Sequence, residues 1–185
     1  MSLDRRNLLA ATATAGIGLG MAATSSNTAN AARSAARPDS AAVHVSPGPG
    51  DSTARLQRAI DRAATLGRPV QLAPGRYEIH DTLRLKPNTK LVGPHGLATI
   101  DLTGHGAIIA ENAENILLSG FTITGRTSKR TSANDALVTV TACSGLDVHD
   151  VVVHAAPVHA LKLWRVSGRI ERCRFEHIGH TAIVS

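Results

Sequence analysis

Apolar and polar positions between Ala113 and Ile183 repeat in a common register. The stretch Asn115-Ile116-Leu117-Leu118-Ser119-Gly120-Phe121-Thr122-Ile123 aligns with Gly145-Leu146-Asp147-Val148-His149-Asp150-Val151-Val152-Val153, and then with Gly168-Arg169-Ile170-Glu171-Arg172-Cys173-Arg174-Phe175. Ile116 falls over Leu146; Leu118 over Val148 and Ile170; Phe121 over Val151 and Cys173; Ile123 over Val153 and Phe175. The offset from 151 to 173 is 22 residues and that from 121 to 151 is 30, the extra eight fitting inside the polar stretch Arg126 to Asp135. Within each unit the alternation has the period of a strand, so one face is buried and the other meets solvent. A unit of about 22 residues is too short for a helical-hairpin repeat and suits one coil of a parallel β-helix.

Upstream, one amphipathic helix is predicted. Asp51 or Ser52 can cap it; Leu56, Ala59, Ile60, Ala63 and Leu66 form an apolar stripe; Arg55, Arg58, Asp61 and Arg62 lie opposite; Gly67 ends it. Short strands follow: Val70 to Ala73, the turn Pro74-Gly75, Arg76 to Ile79, Thr82 to Leu85 and Lys90 to Gly93. This block, from Asp51-Ser52-Thr53-Ala54-Arg55-Leu56 through Val70-Gln71-Leu72-Ala73-Pro74-Gly75-Arg76-Tyr77 to Thr89-Lys90-Leu91-Val92-Gly93, closely resembles the N-terminal module of pectate-lyase-like right-handed β-helix proteins. The resemblance implies an all-β fold, a right-handed parallel β-helix whose open N-terminal end is covered by the helix. It does not specify an activity, because lyases, hydrolases, epimerases and tailspikes share that module. Stacked coils satisfy each other's backbone amides and leave only the two ends unpaired, which is the physical reason for a cover.

The first residues read as a leader. Arg5 and Arg6 precede a mildly apolar run from Leu8 to Met21, and Ala29-Asn30-Ala31 is a small-residue cleavage site. Paired arginines before a weakly hydrophobic core resemble a twin-arginine (Tat) signal, which implies export to the periplasm or beyond and the Tat translocase as a transient partner. With that pair added, the whole chain resembles the opening part of the Tat-translocated repetitive β-helix proteins, a group without an established activity. The expected organisation is a signal peptide over 1–31, a flexible Ala, Ser, Pro and Gly rich linker over 32–50, a capping helix over 51–67, and coils over 68–185. Too few large apolar residues occur in the leader for a stable membrane span.

Of 20 Lys and Arg and 14 Asp and Glu, Arg5, Arg6 and Asp4 would leave with the leader, so the remainder keeps a net charge of about +5. On an exported chain this balance favours an acidic polysaccharide over nucleic acid, and Tyr77, Phe121, Trp164 and Phe175 offer no stacking ladder for single strands. Cys143 and Cys173 fall in different columns, so two free core-facing thiols are expected rather than a disulfide. No metal and no cofactor is assigned.

The 22-residue offset also assigns polar neighbours: Asp147 beside Arg169, His149 beside Glu171, Asp150 beside Arg172 and His154 beside Glu176. Adjacent rungs lie about 4.8 Å apart, so these pairs read as an inter-coil ladder. His159, His177 and His180 have no acidic counterpart; they gather near one corner, where imidazoles could transfer protons or bind a metal, and with Arg172 they are the candidate catalytic groups. Arg169, Arg172 and Arg174 form a cationic edge suited to a uronate, and Arg126, Lys129 and Arg130 mark a protruding insert, so Arg169, Arg174, Arg126, Lys129 and Arg130 are candidate substrate-binding residues. The three-acid cluster of a calcium-dependent lyase and the close carboxylate pair of a glycosidase are not evident, nor is a phosphate loop or a nucleophile elbow. The final residues align with the first strand of another coil, so the chain reads as the opening of a longer solenoid whose uncapped last coil invites self-association. The function expected is binding or processing of an extracytoplasmic acidic polysaccharide; the alternative is a non-catalytic envelope scaffold or adhesion repeat.

Overall fold

The computed structural model describes residues 42–185, so Arg5, Arg6, Ala29 and Ala31 of the expected leader lie outside the described residues. The described chain is a parallel β-solenoid of about six turns with one helix. It begins with β1 (Val43–Val45), α1 (Thr53–Leu66), β2 (Val70–Leu72), β3 (Gly75–Ile79), β4 (Thr82–Leu85), β5 (Lys90–Val92) and β6 (Ala98–Leu102). It continues with β7 (Ala107–Ser119), β8 (Thr122–Thr124), β9 (Ala136–His149), β10 (Val152–His154), β11 (His159–Glu171), β12 (Arg174–Glu176) and β13 (Ile183–Val184). An eight-stranded sheet runs β1-β2-β5-β7-β9-β11-β13 with β4 added beside β7, and a five-stranded sheet runs β12-β10-β8-β6-β3. All pairings are parallel, and the predicted columns are the observed ones: Ile116 pairs with Leu146, Leu118 with Val148, Val148 with Ile170, and Val153 with both Ile123 and Phe175.

The register follows from the alternation. Shifting one strand by a single residue would turn its apolar set outward, and the inward set is deeply buried: Tyr77, Ile79, Leu83, Leu91, Ile100, Leu102, Ile108 and Ile116 are all at 0% exposure. The solenoid turns at stacked left-handed corners. Asn112, Ala142 and Arg165 share one corner column, Asn88 and Asn115 another, and Gly120, Asp150 and Arg172 a third, all at positive φ. Asparagine suits this conformation because its short amide bonds locally, and Asn115 donates to the Asn88 side chain at 3.0 Å.

The helix is the expected one, with two differences of detail. Leu56, Ala59, Ile60 and Ala63 are buried against the coils, whereas Leu66, on the last turn, is 47% exposed. Ser52 sits at the N-cap without a side-chain cap; Asp51 Oδ1 instead accepts from the Thr53 amide at 2.8 Å. Gly67 ends the helix at φ 63°. The expected linker is not wholly irregular: Val43–Val45 forms β1 on β2. Val45 is buried there, and the Tyr77 hydroxyl lies 2.7 Å from the Val45 carbonyl and 2.9 Å from that of Ala73. A long-range partner, Tyr77, thus recruits a segment whose own composition predicts no strand. Cys143 is buried, Cys173 half-buried and both are unpaired, and burial pushes both thiols up in pKa.

Candidate functional site

The outer face of the five-stranded sheet assembles a polar row that no single repeat reveals. On each strand the residue that follows an inward apolar one points away from the core, and pairing stacks Glu78, Asp101, Thr124, His154 and Glu176 in that order. A second row beside it runs Arg76, Thr99, Thr122, Val152 and Arg174. Glu78 and Asp101 are therefore neighbouring carboxylates on adjacent rungs. Asp101 is only 2% exposed although it faces outward. Its Oδ2 is bonded diagonally by the Arg76 guanidinium, while its Oδ1 is buried with no partner among the described residues. A buried carboxylate oxygen without a donor is costly and calls for an explanation such as a ligand. At the far end of the row Glu176 Oε1 is 3.3 Å from Arg174 Nη1, and the His154 ring lies edge-on to that of His177 with centroids 4.9 Å apart.

Three of the four expected inter-coil pairs lie elsewhere, on the eight-stranded sheet and its corner, while the fourth, His154 with Glu176, is in register within the row just described. Arg169 donates to Asp147 Oδ2 at 3.1 and 3.3 Å, and Arg172 forks onto Asp150 at 2.7 and 2.9 Å. Arg172, with His149 second, holds the Asp150 carboxyl well below the usual carboxylate range, and hydrogen bonds to Asp147 and Asp150 raise Arg169 and Arg172 above the ordinary arginine value. His149 and Glu171 are in register as expected, but they do not bond each other. Instead His149 Nδ1 is 2.9 Å from Asp150 Oδ2 and 3.1 Å from Ser119 Oγ, and Glu171 faces Arg172 at 3.5 Å. The His149 ring reaches the nearer corner carboxylate, which leaves Glu171 to the arginines.

The candidate residues are distributed as follows. His159, His177 and His180 do not form one trio: His159 faces His180 with centroids 5.8 Å apart, and His177 joins His154. His159 Nε2 also donates to the Ala133 carbonyl at 2.9 Å, tying β11 to the insert. Arg169, Arg172 and Arg174 wrap round a corner rather than lining one edge; each has its own carboxylate. In the insert, Arg130 is half-buried, bonded to Asp135 at 3.1 Å and to the His105 carbonyl, while the Lys129 amide donates to Gly104 at 2.6 Å. The insert is thus pinned to the neighbouring corner, with the Lys129 and Arg126 side chains exposed. Trp164, 62% exposed, stands on the eight-stranded sheet and not beside the polar row.

Sequence reasoning missed Glu78 and Asp101. Their 23-residue offset, nearly that of the later repeats, was the available signal, but the repeat is clearest only from Asn115 onward, and an alternating Glu or Asp reads as an ordinary solvent-facing position. Among the described residues no helix is long and apolar enough to cross a membrane. Among the described residues His154, Glu176 and His177 bring one nitrogen or oxygen ligand atom each to within 4.8 Å of one another.

No protein-family profile matches the chain, and no curated protein matches it. Among solved structures, a proposed glycosyl hydrolase from Parabacteroides merdae ATCC 43184 matches with 15% identity over 76% of this chain and 95% of that one, at a TM-score of 0.48. At that identity and score the likeness assigns neither an activity nor a residue to this parallel β-solenoid.

Proposed function

We propose that this chain is an exported β-solenoid that binds an acidic polysaccharide along the outer face of the five-stranded sheet, with Glu78 and Asp101 as the place where the glycan would be processed. The observation that carries this reading is the row Glu78-Asp101-Thr124-His154-Glu176, with the buried, half-satisfied Asp101 in it. Rungs spaced about 4.8 Å present a donor or acceptor at intervals comparable to one sugar of an extended chain. Arg76 and Arg174 stand in the adjacent row, where their outer N–H groups meet carboxylates of a uronate. Neighbouring carboxylates supply the acid and base that glycosidic cleavage needs. The net charge of about +5 that remains without the leader assists the approach of a polyanion.

Export by the twin-arginine route is part of the proposal and rests on Arg5 and Arg6. A second reading, a non-catalytic envelope scaffold, is favoured by one observation: Arg169, Arg172 and Arg174 are all engaged by carboxylates of the chain itself. Affinity electrophoresis of the full-length, folded protein in uronate-containing and neutral polysaccharides separates the two. Retardation in the uronate polymers alone, weakened by salt and by Arg174→Gln, is expected; no retardation in any polymer would leave the scaffold. Ultraviolet absorbance of unsaturated uronates against reducing-end release then distinguishes lyase from hydrolase chemistry, and Asp101→Asn is expected to abolish either signal.

A further inference from the structure

We infer that His154, Glu176 and His177 form a binding site for a divalent transition metal of the zinc class. His154 and Glu176 are register partners on β10 and β12, so the solenoid itself sets them one rung apart on the same outward side. His177 follows Glu176 and would point to the opposite side in a continuing strand, but its φ of 54° breaks the strand there. Its ring comes to lie edge-on to His154, the centroids 4.9 Å apart and the planes at 68°. One ligand atom from each of the three residues lies within 4.8 Å of the others. Tetrahedral zinc with bonds near 2.0–2.1 Å needs ligand atoms about 3.4 Å apart, a closure that side-chain rotation can provide. His154 and Glu176 are half-buried and His177 is exposed, so the side chains have room to turn. Two imidazoles and one carboxylate select zinc, cobalt or nickel over calcium and magnesium, which take oxygen ligands.

Such an ion would bridge the rungs of β10 and β12 and keep a coordination position open toward solvent. Among the described residues Arg174 competes for the carboxylate, its Nη1 lying 3.3 Å from Glu176 Oε1. The strand register and the three side chains define this site whether or not the face binds a glycan.

Titration of the full chain with Co²⁺, read by its visible absorption, and with Zn²⁺ by calorimetry, tests the site without any activity assay. One equivalent is expected. His154→Gln, Glu176→Gln and His177→Asn should each weaken binding at least about tenfold, since even residues that only support a ligand commonly cost that much. His177→Asn retains a residue that tolerates positive φ, and equal melting temperatures in chelator would show that a variant is folded. Arg174→Gln should tighten binding, and His180→Gln, in the other histidine pair, should leave it unchanged. The site is overturned if the wild-type chain binds neither ion at millimolar concentration, if binding survives both His154→Gln and His177→Asn, or if His180→Gln removes it.

Discussion

Two outward polar rows on the same solenoid differ in how their charges are answered. At the corner of the eight-stranded sheet Asp150 meets the fork of Arg172 with both oxygens, and Asp147 meets Arg169 on the next rung. On the five-stranded sheet Asp101 has one oxygen on Arg76 and one buried without a donor. Asp147 also has one unpartnered oxygen, yet its side chain is 27% exposed against 3% for Asp101. Exposed charges with a complement one rung away are explained by the fold, and such pairs are worth little individually. A nearly covered carboxylate with an open acceptor is not explained by the fold, and function is better sought there.

The corner beneath the ladder offers the strongest way to break this contrast. Gly120, at φ 77°, sits one rung below Asp150 and two below Arg172, and a Cβ there would lie 2.3 Å from the Gly93 carbonyl oxygen. Gly120→Ala therefore meets backbone rather than a movable side chain. It should lower unfolding free energy by about 3 kcal/mol in chemical denaturation, although Asp150 and Arg172 hold the same corner conformation one and two rungs above.

Next in size is the asymmetry within the Arg76 and Asp101 pair. Arg76→Ala leaves a covered carboxylate with no partner and should cost about 2 kcal/mol by the same measurement. Asp101→Asn removes the charge that needs compensation, while Arg76, 59% exposed, can turn to water, so its effect on stability should be clearly smaller. Equal losses in the two variants would remove the distinction between the rows.

The ladder should respond more weakly and with the opposite logic. Asp150→Arg places two arginines together and should destabilise, and adding Arg172→Asp should recover part of the loss; both effects should shrink in high salt. An absence of recovery would mean that the pairing contributes nothing beyond geometry.

The smallest expected signal is in acid. Arg172 and then His149 hold the Asp150 carboxyl below its ordinary range, so its contribution is present above the unfolded value near 3.9 and is lost as pH falls below that. Between about pH 5 and pH 2 the melting temperature of the wild type should therefore fall further than that of Arg172→Gln. Identical acid profiles would show that the fork is not coupled to folding.

How much of this was legible depends on which residues carry it. The columns of Ile116, Leu118, Phe121 and Ile123 were legible from spacing alone, as were the facing pairs Asp147 with Arg169 and Asp150 with Arg172. A solenoid rung meets its neighbour at nearly constant offset, so a linear pattern becomes a spatial one without further information. β1 was not legible, because three residues acquire a strand only when β2 and Tyr77 receive them. The Glu78 and Asp101 pair was present as an offset but indistinguishable from surface polarity until the burial of Asp101 was known.

By itself, then, the order of residues determined the parallel coils, their register, the helix over one end and the free cysteines, because burial of an alternating apolar set admits one register and a one-residue slip would expose it. Only the tertiary structure decided which polar side chains meet. His149 turns to Asp150 and Ser119, His177 turns back onto His154, and the three arginines divide round a corner. Those choices depend on left-handed corners and side-chain rotation, and a linear spacing fixes the rung a residue occupies but not the direction in which its charged end points.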